Sequence, residues 1–247
     1  MKTPDAMTEN REPCHGGASG HHNCQGFADP DQKRCAPCQL DVDAHEAVRT
    51  ILRHIEVDPT HKDLFDTPAR FLRALKEMTT PEVSDPLAAL GSSFEMVKDD
   101  CDALSIVAQI DIRFSAVCRH HLMPFFGWAD IAYMPTLDAS GPAPARKLLG
   151  LSKLSRLVGA CASNGLQLKE SIATSILGAL KRHECSQRGG LVILRARHGC
   201  MTCRGVKQQA MTATVAAYGA LAEEPALRQQ ADALIHSQRA QAQQTRR

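Results

Sequence analysis

Aromatic residues are scarce in this chain. One tryptophan, two tyrosines and seven phenylalanines make up 4% of its 247 residues. That scarcity argues against the aromatic platforms on which proteins stack single-stranded nucleic acid. An excess of one charge is also lacking: 29 basic side chains face 27 acidic ones, for a net charge of +2. So small an imbalance implies no nucleic-acid partner, and any basic function must be local. No apolar run approaches the roughly eighteen residues of a membrane-spanning helix. Met1–Glu12 is polar and mixed in charge, without the apolar core of a signal peptide. Neither a phosphate loop nor a dinucleotide fingerprint occurs, which disfavours ATP-driven and nicotinamide chemistry.

What remains is ordinary globular material, 43% hydrophobic and 23% charged, enough for one large domain or two small ones. Ten cysteines in a chain without an export signal read as thiols or metal ligands rather than disulfides. The expectation is a soluble cytoplasmic protein able to bind metal, with no membrane and no nucleic acid among its partners.

Residues 1–40 stand apart. They are rich in Gly, Asp, Pro and His and too poor in apolar residues to build a core. Yet they hold Cys14, His15, His21, His22, Cys24, Cys35 and Cys38, the last two as a C-x-x-C pair. A small zinc or copper site is one reading. A disordered tail with soft metal affinity is the other, and it is favoured because the spacing fits no standard finger.

The folded domain is expected over 41–247. A helix with Val48, Ile51, Leu52 and Ile55 on one face is predicted from near Asp41, capped by Asp43 and ended by Asp58-Pro59. A second helix opens at Thr67-Pro68, with Phe71, Leu72 and Leu75 on one face. Residues 79–100 read as a connection with short elements. Alternation at Leu104, Ile106, Ala108, Ile110 and Ile112 marks a strand, and 125–134 marks another. Residues 136–147 read as a Pro/Gly/Ala loop. Leucine-rich helical stripes then begin at Leu151 and Leu168, strands follow over Leu191–His198 and about Val206–Ala217, and a last helix starts near Pro225. Hairpins segregated from helix pairs imply an α+β domain rather than a doubly wound sheet.

Chemistry concentrates where strands end. Cys118 and His121, as C-x-x-H, lie between two predicted strands, and Cys200 follows another. Three such ligands suit zinc and leave its fourth tetrahedral position open for water, whose pKa falls to about 7. His120 and His198 adjoin these ligands and are placed to move protons. A competing arrangement adds Cys203, closing a four-ligand structural site. If residues 198–204 stay extended, positions 200 and 203 face opposite sides, against closure. A knuckle-type turn would favour closure instead.

The basic residues favour the open site. Ser152, Lys153 and Arg156 sit in the first turns of a helix, where free backbone donors make an anion site. Arg204 can add a bidentate phosphate contact. Glu170, at the start of the next helix, is either a first-turn acid or a partner for adjacent N–H donors such as those of guanine.

Four stretches together, Val117–Phe125 (VCRHHLMPF), Gly150–Arg156 (GLSKLSR), Leu166–Glu170 (LQLKE) and His198–Gly205 (HGCMTCRG), resemble in order and spacing the motifs of GTP cyclohydrolase I. The resemblance runs from about Val48 to Ile235 and includes Asp66–Arg70 (DTPAR). It implies a tunnelling-fold (T-fold) subunit, an antiparallel sheet with helix pairs on one face. Such subunits assemble into barrels, commonly a homo-oligomeric decamer with active sites between subunits. It further implies zinc on Cys118, His121 and Cys200, with His120 and His198 as proton donors and acceptors. Glu170 would anchor guanine, and Ser152, Lys153, Arg156, Arg204 and Arg70 would hold the triphosphate. The implied reaction opens the imidazole ring of GTP, releases formate and closes a pterin ring, giving 7,8-dihydroneopterin triphosphate.

The chain departs from the family pattern at Arg119, usually Glu, at Lys169, usually Gln, at Arg197, usually small or Thr, and at Cys203. Added positive charge near the pocket admits another purine substrate or a ring-opened product. Cys203 keeps alive an inactive nucleotide- or zinc-binding regulator with a closed site. A T-fold relative with a cysteine nucleophile is disfavoured, because the Cys118/His121/Cys200 set suits metal better.

Overall fold

The computed structural model describes residues 36–97, 106–138 and 145–245. Cys14, His15, His21, His22, Cys24, Cys35 and the thiol of Cys38 lie outside the described residues, as does Leu104. The chain divides into two compact units, residues 1–74 and 75–247.

In the first unit, α1 spans Ala36–His54. It starts before the expected Asp41, since Gln39–Asp43 is exposed and its two apolar residues, Leu40 and Val42, form no buried stripe to announce a helix. Asp43 is therefore no cap; it lies within the helix and accepts from Gln39 Nε2 at 2.8 Å. The helix also stops short of Asp58-Pro59. Glu56 adopts φ 61° while Glu56 N returns to Arg53 O and Val57 N to Leu52 O, a left-handed termination that needs no proline. The second helix, α2 (Thr67–Thr79), opens where Thr67-Pro68 predicts, and it leads into the second unit.

There the order is α3 (Pro86–Leu90), β1 (Ser93–Val97), β2 (Val107–Cys118), β3 (Pro124–Tyr133), β4 (Thr136–Asp138) and β5 (Ala145–Leu149), then α4 (Leu151–Ala162), β6 (Leu166–Gln167) and α5 (Lys169–Arg182). The chain continues through β7 (Gly189–His198), α6 (Gly199–Thr202), β8 (Thr212–Gly219), α7 (Ala220–Glu223) and α8 (Pro225–Thr245). Two expectations are corrected. The ends of the supposed 136–147 loop are strands, β4 and β5, which join β1 in a three-stranded sheet; residues 139–144 lie outside the described residues. The last strand begins at Thr212 rather than Val206, because Gly205 and Lys207 take positive φ (61° and 49°), which breaks an extended run.

The main sheet has the order β6-β2-β3-β7-β8. Its pairings are antiparallel except for β6, which runs parallel to β2. Alternate residues face opposite sides of a strand. Phe114, Ala116, Phe125, Ile131, Val192 and Leu194 therefore meet Leu157 and Val158 of α4 and Ile172, Ile176 and Leu180 of α5, the stripes legible in the sequence. On the opposite face Ala132, Met134 and Leu191 pack with Leu221, Ala231 and Ile235 of α7 and α8. Gly127 is required by close approach: a Cβ there would lie 2.4 Å from Arg195 O and 2.6 Å from the Phe114 ring. No helix among the described residues is long and apolar enough to cross a membrane.

The β2–β3 register shifts between Gln109 and Ile112, and a fully buried carboxylate holds that bulge. Asp130 Oδ1 accepts from Asp111 N at 2.8 Å, where Asp111 adopts φ 53°. Asp130 Oδ2 pairs with Arg195 at 3.4 Å and with Arg239 of α8, and Arg195 also reaches Asp111 Oδ1 at 2.8 Å. Removing Asp130 takes the carboxylate from half-buried Arg239, leaves Arg195 with Asp111 alone and leaves the Asp111 N–H of the strained bulge without its acceptor. Asp130→Ala is expected to lower stability by about 3–5 kcal/mol. Urea unfolding measures this, and a loss below about 1 kcal/mol would show that the cluster does not hold the bulge.

Candidate active site

β2, β6 and β7 all finish at one end of the main sheet, because β6 is parallel to β2 while β7 is antiparallel to β3. Cys118 is the last residue of β2, with Gln167 as its register partner on β6; His198 is the last of β7, opposite Phe125. Backbone bonds fix the β2–β3 turn. Cys118 N donates to Met123 O and Leu122 N to Cys118 O, both at 2.9 Å, and Arg119 N donates to Gln167 O at 3.1 Å. This leaves Arg119, His120 and His121 exposed on the turn. Gly199 then lets the chain pass close to β3, since a Cβ there would stand 2.7 Å from Pro124 O. The helical turn α6 follows and presents Cys200.

The donor atoms of Cys118, His198 and Cys200 all lie within 4.8 Å of one another. Cys118 is buried, while His198 and Cys200 are half-buried. The His198 ring stacks on Phe125, with centroids 4.6 Å apart and planes 11° from parallel. Burial, and next the Cys118 thiol alongside, push the Cys200 thiol up. Burial and the Lys169 ammonium push His198 down, with Glu170 opposing. The unliganded imidazole is thereby biased toward its neutral form, which can accept a proton or donate a lone pair to a metal.

Lys169 and Glu170 open α5 beside this group. The Lys169 side chain is only 5% exposed, and its Nζ lies 3.8 Å from Glu170 Oε1. Desolvation lowers the Lys169 pKa, and Glu170 restores part of the loss. Thr214 Oγ1 on β8 donates to Glu170 Oε1 at 3.4 Å. Arg204 braces the other side: its Nε donates to Cys200 O at 3.4 Å and its Nη2 to His121 Nε2 at 3.1 Å.

The structure thus brings together Cys118, His198, Cys200, Lys169 and Glu170, with His121 and Arg204 adjoining through the Cys200 carbonyl. His121 itself is not in the close donor group. Residues 199–202 are helical rather than extended, yet Cys203 still stands outside that group, exposed, with its Sγ 3.6 Å from Thr202 Oγ1. Arg197 faces the opposite side of the sheet from His198, opposite exposed Phe126 in the register, so its charge is not added to this site. Ser152, Lys153 and Arg156 stand on the first turns of α4, and no hydrogen bond or ion pair joins them to the cluster among the described residues. Arg70, in the first unit, pairs with Asp66 at 3.0 Å. A groove of about 740 Å³ near Arg113, Phe126, Trp128 and Ser163 holds none of the donor residues. Sequence reasoning did not find the roles of Phe125 and Thr214. Phe125 was visible as the motif's closing aromatic, but Thr214 is matched to Glu170 only by strand pairing.

The family model described as GTP cyclohydrolase I matches residues 44–236. The chain belongs to the GTP cyclohydrolase I family. Its fold is accordingly the T-fold, and it is a hydrolase of the GTP cyclohydrolase I type. Its relatives include the GTP cyclohydrolase 1 of Bifidobacterium longum (strain NCC 2705), 36% identical over 77% of this chain and 88% of that protein. The GTP cyclohydrolase 1 of Listeria monocytogenes serotype 4b (strain F2365) is 37% identical over 77% of this chain and 93% of its own. That of Chlorobium chlorochromatii (strain CaD3) is 32% identical over 92% of this chain and 94% of its own. A crystal structure of the archaeosine synthase QueF-Like in the apo form is more distant, at TM-score 0.34 and 16% identity over 47% of this chain and 94% of that one.

For a family member, the donor set is chemically apt for zinc. Two thiols and an imidazole converge from two strand ends, and neutral imidazole and thiolate are the ligands that zinc selects.

The buried Lys169 makes a separate demand. Glu170→Gln strips its counter-charge and, because that carboxylate is largely exposed, is expected to cost about 0.5–1 kcal/mol of stability. Adding Lys169→Gln should recover most of that loss, because the charge needing a partner is gone. A double-mutant cycle in urea measures the coupling, and strictly additive losses would contradict the pairing.

Proposed function

We propose that this family member hydrolyses GTP at a zinc site, opening the guanine imidazole ring, releasing formate and giving 7,8-dihydroneopterin triphosphate. The observation that carries the reading is the convergence of Cys118 and Cys200 with an imidazole, beside the Glu170 carboxylate. The names of the relatives support the same substrate.

Cys118 and Cys200 are assigned as zinc ligands, with His121 as the third. His121 shares the Cys118–Met123 turn, where Leu122 N closes on Cys118 O, and its exposed ring meets Arg204, which itself bonds Cys200 O. Zinc bound there supplies a Lewis acid that makes hydroxide available at neutral pH. His198, kept neutral by burial and Lys169 and held flat on Phe125, is positioned to take a proton and return it to the departing ring nitrogen. His120, on the same exposed turn, is the second proton carrier. Glu170 accepts the adjacent N–H donors of the guanine edge, and its bond from Thr214 orients it for that role.

Arg204, Ser152, Lys153, Arg156 and Arg70 are assigned to the triphosphate. A site completed between subunits of a homo-oligomer, with a decamer as the family expectation, belongs to the same proposal. Cytoplasmic location follows as part of the same proposal.

The test is GTP turnover by zinc-loaded protein, followed by formate release and by pterin fluorescence after oxidation. Stoichiometric formate with a neopterin product is expected. Formate without pterin would indicate a reaction that halts after ring opening, and no turnover with zinc in place would contradict GTP as the substrate.

Three variants separate the roles. Cys200→Ala is expected to lose zinc and activity together; activity in the metal-free variant would defeat the zinc reading. His198→Ala should keep zinc and slow turnover by roughly two to four orders of magnitude, whereas His121→Ala should lose the metal. The reverse pattern of zinc contents would make His198 the ligand.

A further inference from the structure

Cys203 takes no part in the donor cluster, and the proposed reaction gives it no task. Its placement is nonetheless specific. Cys203 continues the α6 turn, with φ −91° and ψ −21°, and its N–H donates to Gly199 O at 2.9 Å. Cys200 and Cys203 therefore lie three positions apart on one helical turn and share a face. Helical geometry sets their Cα atoms about 5 Å apart, inside the span of about 4.4–6.8 Å that a disulfide bridges.

The two thiols differ in access. Cys203 is exposed and Cys200 half-buried, whereas Cys118, the other near neighbour of Cys200, is only 5% exposed. Gly205 follows the turn directly after Arg204, and a Cβ there would meet nothing within 4 Å, so the Cys203 side of the turn is uncrowded.

We propose that Cys200 and Cys203 form a reversible disulfide under peroxide, which withdraws Cys200 from the metal site. The chemistry is that of a peroxidatic and a resolving thiol. The Cys203 sulfur attacks hydrogen peroxide and the O–O bond breaks, giving the sulfenic acid and one water. The Cys200 sulfur then attacks the Cys203 sulfur, the S–O bond breaks and a second water leaves. The two thiols supply the two electrons, and peroxide is reduced to two waters. A sulfur held in this bridge is no longer a thiolate and cannot bind zinc. Metal release rests on the zinc reading above; bridge formation does not.

The experiment uses full-length zinc-loaded protein titrated with hydrogen peroxide. Peptide mass mapping locates any bridge, and a chromophoric chelator reads released zinc. A Cys200–Cys203 linkage is expected, with one zinc lost per bridged chain and regained on adding dithiothreitol and zinc. Cys203→Ser, a change at an exposed position, should form no such bridge, release zinc more slowly and fail to recover what it loses. A Cys118–Cys200 linkage in the wild type, or a Cys203 that stays reduced while zinc is released, would overturn the proposal. A protein that takes up no zinc would overturn the metal reading, while the peptide map would still decide the bridge.

Discussion

The buried Asp130 carboxylate is the contact on which the arrangement of the site depends. It satisfies the backbone N–H of Asp111 in the β2 bulge, receives Arg195 from β7, and takes Arg239 from α8. A strand whose register slips by one residue turns every side chain to the other face. By pinning the bulge, Asp130 sets the phase of β2 from Ile112 onward, so that Phe114 and Ala116 enter the core and Cys118 emerges on the face that carries His198. The same residue holds β7, whose end supplies His198 and, two residues on in α6, Cys200. Two thiols far apart in sequence are thereby brought together by a carboxylate on the opposite face of the sheet.

The electrostatics of the site follow from burial more than from net charge. Lys169 is almost wholly enclosed, with the Glu170 carboxylate as its counter-charge, and together they bracket the His198 imidazole. Burial and the neighbouring ammonium push the His198 pKa down, which suits the proton-carrying role proposed for it. Glu170 meanwhile keeps two-thirds of its side chain exposed, free to meet a ligand edge while Thr214 orients it. Of the three basic departures from the family pattern, Lys169 is the one that acts on this site through burial. Arg197 belongs to the other face, and Arg119 lies exposed on the turn.

Much of this was legible in the sequence, and what escaped has physical causes. The α4 and α5 stripes, such as Leu157–Val158 and Ile172–Ile176–Leu180, were readable because a half-buried helix writes its 3.6-residue period into the chain. The start of α1 was not, because its first turns carry no apolar stripe. The strands β4 and β5 were hidden by the Pro/Gly/Ala composition of the segment between them. For the site, C-x-x-H at Cys118 and the HGC stretch at His198–Cys200 announced metal chemistry, but spacing cannot say which imidazole stands nearest the thiols. The geometry places His198 within the close donor group and His121 against Arg204, a distinction made by the stacking of Phe125 and the reach of Arg204 rather than by any motif.

The central claim is that sheet register assembles Cys118 and Cys200 into one metal site with a position left open for chemistry. X-ray absorption at the zinc edge of the loaded, reduced full-length protein tests it most directly, since sulfur and nitrogen or oxygen neighbours lie at different distances, about 2.3 Å and 2.0–2.1 Å. The account predicts two sulfurs and two lighter neighbours, with both sulfurs kept in the shell when Cys203 is replaced by serine. A shell of three or more sulfurs would bring Cys203 into the site, close the open position and contradict the account.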